Sequence, residues 1–347
     1  MKKFVSAFVL ILALCTAAVS LGETVTISLV GDCTVGDQWK YRGMGYTFTG
    51  KMKTLGLDYP FSLVADLFAA DDLTLANCEG CLTDRKPDKK VRNLMTLGAP
   101  TSFGEVFKLG NVDACGVANN HSKNFGEKGW IDTINTLNAL GIGTFGDSEY
   151  FITEIKGAKI GIFGFSYPYN EAKFKRCEEA IAHLKEEGCT FIIASCHWGK
   201  EESLRINASQ SKYAPMLIDA GVDMVYGHGS HTLQPIQIYN GKVILYSTSN
   251  FTFGANARPK DDDTAVFQVI FNVNADGTMD AVELTAIPFK MHNNGDYRPY
   301  PIEDEAGKEQ VLRKLVFSRP TDPDSGLPED FIKTGHAVLK DIPVVEE

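Results

Sequence analysis

Short apolar runs rich in β-branched residues alternate, along the first two thirds of the chain, with segments that repeat apolar residues at helical spacing. The apolar runs predict buried strands, and the repeats predict amphipathic helices. The predicted strands cover residues 25–30, 73–76, 112–117, 159–165, 190–195 and 222–226, and the predicted helices cover residues 61–68, 102–109, 127–140, 171–187 and 209–220. Alternation of this kind is typical of an α/β protein.

The pattern changes after Leu233, where apolar and polar residues begin to alternate. This period of two predicts antiparallel strands, and an Asn-Gly pair at 240–241 and an Asp-Gly pair at 276–277 predict tight turns. The strands predicted in this part cover residues 234–239, 243–246, 264–273 and 279–287. One compact mixed sandwich fits the whole pattern better than two domains.

We therefore divide the chain into a leader at residues 1–22, one α/β domain at 23–318 and a surface extension at 319–347. The leader has the pattern of an export signal: Lys2 and Lys3 precede an apolar run at 4–14, and small residues follow at 18–20. The run is shorter than the ~20 apolar residues that span a bilayer. We expect an exported protein, extracellular or at the cell surface, with lipid anchoring at Cys15 as the alternative.

The balance of charge narrows the classes of partner. The sequence has 34 Lys and Arg against 44 Asp and Glu, a formal net charge of −10. An acidic protein lacks the cationic surface that general nucleic-acid binding requires, so we expect no nucleic acid as a partner. A hydrophobic content of 44% also excludes a wholly disordered chain.

Seven cysteines remain outside the leader, an odd number without the density of a disulfide framework. Most are expected to be small buried hydrophobic residues. A short disulfide between Cys78 and Cys81 is the alternative.

Polar residues with metal-ligating side chains follow five of the predicted strands. The ends of strands in an α/β sheet form the crevice where ligands bind. Carboxylate, carboxamide and imidazole groups together suit Mn²⁺, Fe²⁺, Zn²⁺ or Mg²⁺. One such residue after a strand usually belongs to a turn, but five coinciding positions predict a metal site. In chain order these residues are Asp32, Asn77, Glu79, Asn119, Asn120, His121, His197, His228 and His231.

Six short motifs in this order resemble those of the CapA family, the poly-γ-glutamate capsule biosynthesis family within the calcineurin-like metallophosphoesterase superfamily. The resemblance runs from about residue 25 to 289 and implies a metallophosphoesterase-like, four-layer α/β/β/α sandwich of two packed sheets flanked by helices. The motifs are Gly31-Asp32, Asn77-Cys78-Glu79, Asn120-His121, His197-Trp198-Gly199-Lys200-Glu201, Gly227-His228-Gly229-Ser230-His231 and Ser247-Thr248-Ser249-Asn250-Phe251.

The resemblance also implies roles for particular residues. His121 would be the general acid, Asn250 is a candidate for contacting substrate, and Glu201 is a candidate for substrate binding or for a hydrogen bond to a ligand histidine. The cofactor would be one or two divalent metal ions. Their implied ligands are Asp32, Glu79, Asn120, His197, His228 and His231.

Three departures from the family pattern leave the number of metal ions open. The superfamily's Asp-x-His at the first strand is absent, and Gly229 and Ser230 replace the central His-Pro of the family's Gly-His-His-Pro-His. Asn124 stands where the family has an aspartate.

Two functions follow as expectations. The first is an exported metal-dependent hydrolase, phosphoesterase-like, that acts on a phosphoester or an anionic cell-surface polymer. The alternative is a non-catalytic protein that binds polyglutamate or another anionic polymer during capsule assembly or export. A membrane complex of capsule synthesis is an expected partner, and the basic segment 85–92 is either a solvated loop or a lid that attracts anions.

Overall fold

The computed structural model describes residues 23–87, 95–292, 295–317, 319 and 322–339. Within these ranges the strands are β1 (Thr24–Thr34), β2 (Asp37–Gln38), β3 (Leu73–Cys78), β4 (Cys81–Leu82), β5 (Leu97–Ala99), β6 (Ala114–Gly116), β7 (Gly143–Phe145), β8 (Phe151–Ile155), β9 (Ala158–Ser166), β10 (Phe191–His197), β11 (Met224–His228), β12 (Ile236–Tyr239), β13 (Lys242–Leu245), β14 (Asn250–Phe253), β15 (Asp263–Val273), β16 (Met279–Lys290), β17 (Tyr300–Pro301) and β18 (His336–Val338).

The α-helices of the same ranges flank the strands. They are α1 (Phe48–Leu55), α2 (Ala65–Ala69), α3 (Glu105–Leu109), α4 (Gly126–Ala139), α5 (Glu171–Glu186), α6 (Ala208–Asp219), α7 (Glu305–Leu312) and α8 (Phe331–Thr334).

Two large sheets carry the fold of the described residues. The nine-stranded sheet has the order β17-β16-β15-β1-β3-β6-β7, with β14 beside β1 and β18 beside β16. The six-stranded sheet has the order β12-β13-β11-β10-β9-β8. In the first sheet β1, β3, β6 and β7 run parallel, and in the second β9, β10, β11 and β13 do so. The carboxyl ends of these parallel strands therefore lie together at one edge of each sheet.

The two sheets pack face to face over one apolar core. Leu29 of β1, Phe267 of β15 and Ile193 of β10 are fully buried in it. The Tyr226 hydroxyl crosses the interface and donates a hydrogen bond to the Val30 carbonyl. A second core lies between the nine-stranded sheet and α1 to α4, and a third lies between the six-stranded sheet and α5 and α6. The predicted four-layer α/β/β/α sandwich is therefore confirmed.

The predicted helices at 61–68 and 102–109 are shorter than their hydrophobic patterns suggest. The second begins as a 3₁₀ helix at Thr101–Gly104 and continues as α3. The segment predicted as a helix at 61–68 contains a 3₁₀ turn at Tyr59–Phe61 and then only α2. Val64, between them, has a φ of −129°, outside the helical range. Phe61, Val64 and Phe68 are nonetheless buried, whereas Leu63 is 46% exposed, so the pattern correctly indicated most of the face that packs on the sheet.

The prediction of a surface extension from residue 319 is wrong for the part of it that the structure describes. Phe331 is fully buried in the core between the sheets, and Ala337 is 1% exposed. β18 pairs with β16, placing Ala337 opposite Leu284. This C-terminal segment adds a strand to the nine-stranded sheet. Packing there removes its apolar side chains from water, which stabilises this position over an exposed tail.

The leader and its predicted export signal lie outside the described residues. Among the residues that are described, no helix combines the length and the hydropathy needed to cross a bilayer. The seven cysteines from Cys33 onward are all buried and free, which agrees with their interpretation as small core residues rather than with a Cys78–Cys81 disulfide.

Candidate metal centre

Adjacent parallel strands bring the predicted ligands to one place. Asp32 of β1 lies opposite Asn77 of β3, with Glu79 two residues further along. In the other sheet His197, the last residue of β10, lies opposite His228, the last residue of β11. Because the two sheets are packed face to face, these two pairs of strand ends meet across the sandwich.

The metal-ligating side chains form two groups of three that share Asp32. One group is Asp32, His197 and His228, and the other is Asp32, Glu79 and His231. In each group the three ligand atoms lie within 4.8 Å of one another. A single carboxylate shared by two sets of ligands is the arrangement that could hold two divalent ions side by side.

Asp32 is fully buried and is the centre of the hydrogen-bond network. Its Oδ1 accepts a hydrogen bond from Asn77 Nδ2 at 2.8 Å, and its Oδ2 accepts one from the Gly229 amide at 3.0 Å. Burial alone would raise the pKa of Asp32, but hydrogen bonds to His228 and His231 hold the pKa well below its usual value. Asp32 is thus kept as a carboxylate, the form that binds metal.

Glu79 lies in the same site without partners of its own. Its side chain is fully buried, and among the residues that the structure describes neither carboxylate oxygen has a hydrogen-bond partner. Burial raises the pKa of Glu79 to about 8, in spite of the opposing charge of His231. An ionised carboxylate without a partner is strongly disfavoured in a protein interior. A divalent cation would supply the missing partner, so the residues present fit a metal.

His231 links the two carboxylates. Its Nδ1 lies 3.3 Å from Asp32 Oδ2, and its Nε2 lies 3.9 Å from Glu79 Oε1. Burial would lower the pKa of His231, but the charges of Glu79 and Asp32 raise it to about 10. In the metal-free protein this imidazolium therefore occupies a position between two acids that a cation could take.

Asn250 is a predicted substrate contact, and the structure places it beside the candidate ligand His231. Its side chain is buried, and its Oδ1 lies 2.8 Å from His231 Nδ1. His231 itself has a φ of +59°, an unusual backbone conformation for a residue other than glycine. The 2.8 Å contact between Asn250 Oδ1 and His231 Nδ1 fixes the orientation of the ring on this backbone.

Gly229 explains one departure from the family pattern. It has a φ of +100°, and a Cβ at this position would lie 2.9–3.0 Å from three atoms of the His197 ring. No side chain fits here while His197 keeps its orientation. The missing family histidine therefore leaves room for His197, whose pKa burial lowers well below the usual value, so that it is a neutral potential ligand.

His121 lies beside this centre. Its Nδ1 is 2.9 Å from Asn124 Oδ1, and that oxygen also accepts a hydrogen bond from the Leu97 amide at 2.7 Å. Since the oxygen accepts, Nδ1 of His121 must donate, and Nε2 is left facing Glu79 Oε1 at 3.9 Å. Asn124 therefore orients His121 although it lacks the charge of the family's aspartate. Burial lowers the pKa of His121.

Two predicted site residues are not brought into the centre. Asn120 is exposed, whereas its neighbour Asn119 is buried and donates to Asn77 Oδ1 at 3.2 Å. Glu201 is also exposed and makes no hydrogen bond to a ligand histidine among the described residues. Its charge nevertheless contributes to raising the pKa of Glu79.

Sequence reasoning did not assign roles to several polar residues that support the ligands. Asn77 was noted at its strand end, yet its contact with Asp32 depends on the register of β1 and β3. Ser195 lies 2.9 Å from His228 Nε2 through its hydroxyl. A serine in the middle of an apolar strand, two residues before the candidate ligand His197, was the available signal.

The basic segment 85–92 is described only in part. Arg85 pairs with Asp132, with Nε 2.7 Å from Oδ2, so its charge is already matched. The portion of the proposed lid from residue 88 to 92 lies outside the described residues.

These paired strand ends, with four histidines and two carboxylates gathered between two sheets, define an α/β/β/α sandwich protein with a candidate divalent-metal centre. The family model described as bacterial capsule synthesis protein PGA_cap matches residues 26–255. Because this match covers well over half of the chain, the chain belongs to that family, and the resemblance to CapA proteins is confirmed.

The chain is also similar to individual proteins and to a solved structure. The chain is 24% identical over 319 residues to the capsule biosynthesis protein CapA of Bacillus anthracis, covering 85% of this chain and 73% of the relative. It is 27% identical over 287 residues to the PGA biosynthesis protein CapA of Bacillus subtilis (strain 168), covering 75% and 72%. A solved phosphatase structure from Mycoplasma pneumoniae covers 77% of this chain and 94% of its own, at 14% identity and a TM-score of 0.47.

Proposed function

We propose that this chain is a metal-dependent, phosphoesterase-like hydrolase of capsule, poly-γ-glutamate or related cell-surface polymer biosynthesis. The observation that carries the proposal is the shared Asp32 between two groups of metal-ligating side chains. The names of the two relatives from Bacillus, which refer to capsule and PGA biosynthesis, support the choice of polymer.

The two groups of ligands support a centre for two divalent ions, with Asp32 contributing to both. His197 and His228 would complete one position, and Glu79 and His231 would complete the other. When bound, such ions supply Lewis-acid polarisation of a phosphoryl or carbonyl oxygen. The mixture of oxygen and imidazole ligands suits Mn²⁺, Fe²⁺, Zn²⁺ or Mg²⁺.

The residue proposed to move a proton is His121. Asn124 fixes its Nδ1 as a hydrogen-bond donor, so Nε2 is the atom that can take up and deliver a proton on the side of Glu79. An imidazole with a pKa near working pH is suited to protonating a leaving group. Burial lowers the pKa of His121, so its protonated form should be a strong acid.

The proposal is tested with the purified protein, Mn²⁺ and phenyl phosphate, whose poor leaving group depends on protonation. His121→Ala should lower kcat by about 10²–10⁴-fold, the usual contribution of a positioned acid or base. His336→Ala is the matched control, because His336 is partly exposed and pairs with Glu283 away from the centre. If the His121→Ala variant has the same kcat as wild type, the proposed role of His121 is contradicted.

A second function, binding of an anionic polymer without catalysis, is favoured by the replacement of the family's aspartate by Asn124 and by the exposure of Asn120. A protein of this kind would bind polyglutamate and hydrolyse neither phosphoesters nor γ-glutamyl bonds. Absence of hydrolysis with the metal centre fully loaded would favour it.

We further propose that the protein works outside the cytoplasmic membrane, on the support of the basic and apolar leader pattern at residues 1–20. A membrane complex of capsule synthesis is its proposed protein partner. The intact mass of the protein recovered from its native cells distinguishes cleavage of the leader from lipid attachment at Cys15.

A further inference from the structure

Two cations of α5 lie against one buried aromatic ring. Lys173 Nζ is 5.1 Å from the centre of the Phe165 ring, and Arg176 Cζ is 4.5 Å from it. Phe165 is only 2% exposed. Since the two cations are three residues apart on a helix, they occupy neighbouring positions on one face.

These two cations lack a close acidic partner. Neither lies within ion-pair distance of a carboxylate in the described residues, whereas Lys212 of the following helix pairs with Glu171. Asp147 acts on Lys173 from a longer range, and its Oδ2 lies 3.7 Å from another cation, Lys123. Partial burial and then the like charge of Arg176 lower the pKa of Lys173. An anion bound between Lys173 and Arg176 would offset this repulsion.

The pair lies at the same edge of the six-stranded sheet as the metal centre. Phe165 precedes Ser166, the last residue of β9, and Ser166 lies opposite His197. The next residue, Tyr167, donates its amide to the His197 carbonyl at 2.8 Å, and its side chain is 64% exposed. Adjacent strands are about 4.8 Å apart, so the backbone beneath the cations is one strand away from a ligand histidine.

We propose that Lys173 and Arg176 form a cationic shelf that binds a carboxylate-bearing unit of an extended polyanion, next to the unit held at the metal centre. The choice of a polyanion rests on the proposed function. A guanidinium can hold a carboxylate through two parallel hydrogen bonds, and the neighbouring ammonium adds a second charge. A chain bound at two places is held more tightly than its separate units.

The shelf is tested by the binding of a poly-γ-glutamate chain, followed by calorimetry at two salt concentrations. The double variant Lys173→Gln/Arg176→Gln should bind about tenfold more weakly, because each partly exposed charge contributes a few-fold. Lys175→Gln/Lys185→Gln is the matched control: both lysines are exposed on α5, and the net charge changes equally. This control should bind within about twofold of wild type.

A charge-conserving variant separates charge from folding. Lys173→Arg/Arg176→Lys should keep most of the affinity, and thermal unfolding should be similar for all three variants. Equal weakening by the shelf and control variants, or wild-type protein that binds no poly-γ-glutamate, would overturn the shelf.

The outcome is separable from that of the proposed hydrolysis. The shelf variant should hydrolyse p-nitrophenyl phosphate as wild type does, because a small substrate does not reach the shelf. If binding depends on the shelf but no substrate is hydrolysed, the hydrolase proposal fails and the shelf stands. If p-nitrophenyl phosphate is hydrolysed but the affinity for the polymer does not change when Lys173 and Arg176 are replaced, the shelf proposal is rejected and the hydrolase proposal is not.

Discussion

Replacing Gly229 by alanine should disturb the centre by moving His197. The new methyl group would lie 2.9–3.0 Å from three atoms of the His197 ring, closer than carbon atoms approach without repulsion. Either the ring leaves its position between Asp32 and His228, or the loop that carries His231 shifts. Both responses separate residues that must converge to bind metal.

The magnitude follows from two contributions. A φ of +100° is unfavourable for alanine, and a left-handed conformation costs roughly 1–2 kcal/mol. Moving a side chain out of its rotamer adds about 1 kcal/mol. The free energy of unfolding of the metal-free protein should therefore fall by about 2–3 kcal/mol. Gly241→Ala is the control, because Gly241 has a φ of +71° with open space around it.

The assay is urea denaturation of the metal-free protein, followed by metal content after loading with Mn²⁺. Gly241→Ala should lose about 1–2 kcal/mol through backbone strain alone and keep its metal. Gly229→Ala should lose more and bind less metal. Equal stability losses and equal metal contents in the two variants would show that Gly229 does not make room for His197.

Three further predictions concern pH, proton transfer and the C-terminal segment. Metal binding should release up to two protons, because burial raises the pKa of Glu79 to about 8, the charges of Glu79 and Asp32 raise the pKa of His231 to about 10, and the metal displaces both protons. Below pH 8 the affinity should therefore rise by up to about a hundredfold per pH unit; calorimetry in two buffers counts the protons, and none released would contradict this. Asn124→Asp should raise the pKa of His121, because a carboxylate stabilises the imidazolium, and should move the alkaline limit of hydrolysis upward by about one pH unit. An unchanged pH profile would contradict the contact between residue 124 and His121. Phe331→Ala should destabilise the protein by about 3–5 kcal/mol in urea denaturation, since the ring is fully buried. The control Val338→Ala, at an exposed position, should leave the stability nearly unchanged. A nearly unchanged stability of Phe331→Ala would show that this segment does not support the core.

The layered fold was predictable because its strands and helices have clear periodicities. The pattern located the strands that carry Asp32, His197 and His228, and the rule that ligands gather at strand ends placed these residues together. The shared role of Asp32 could not be predicted, since it depends on how far one sheet is displaced over the other. That displacement is set by packing between distant parts of the chain.

The errors arise where long-range pairing or a turn decides the outcome. β18 has only three residues, too few for a period to be recognised, and its partner β16 lies about fifty residues earlier. After β6, Asn119 and Asn120 have the same side chain and were equally suitable as ligands, but the turn buries Asn119 and exposes Asn120. Sequence order does not show which of two neighbours a turn directs inward.

The most direct test of the proposed centre is the number of metal ions per chain after loading with Mn²⁺ and removal of excess metal. Because Asp32 belongs to both groups of ligands, wild type should hold two ions per chain and Asp32→Asn should hold almost none. His228→Ala, which affects one group only, should retain about one ion. Two ions retained by Asp32→Asn, or none bound by wild type, would contradict a metal centre organised around Asp32.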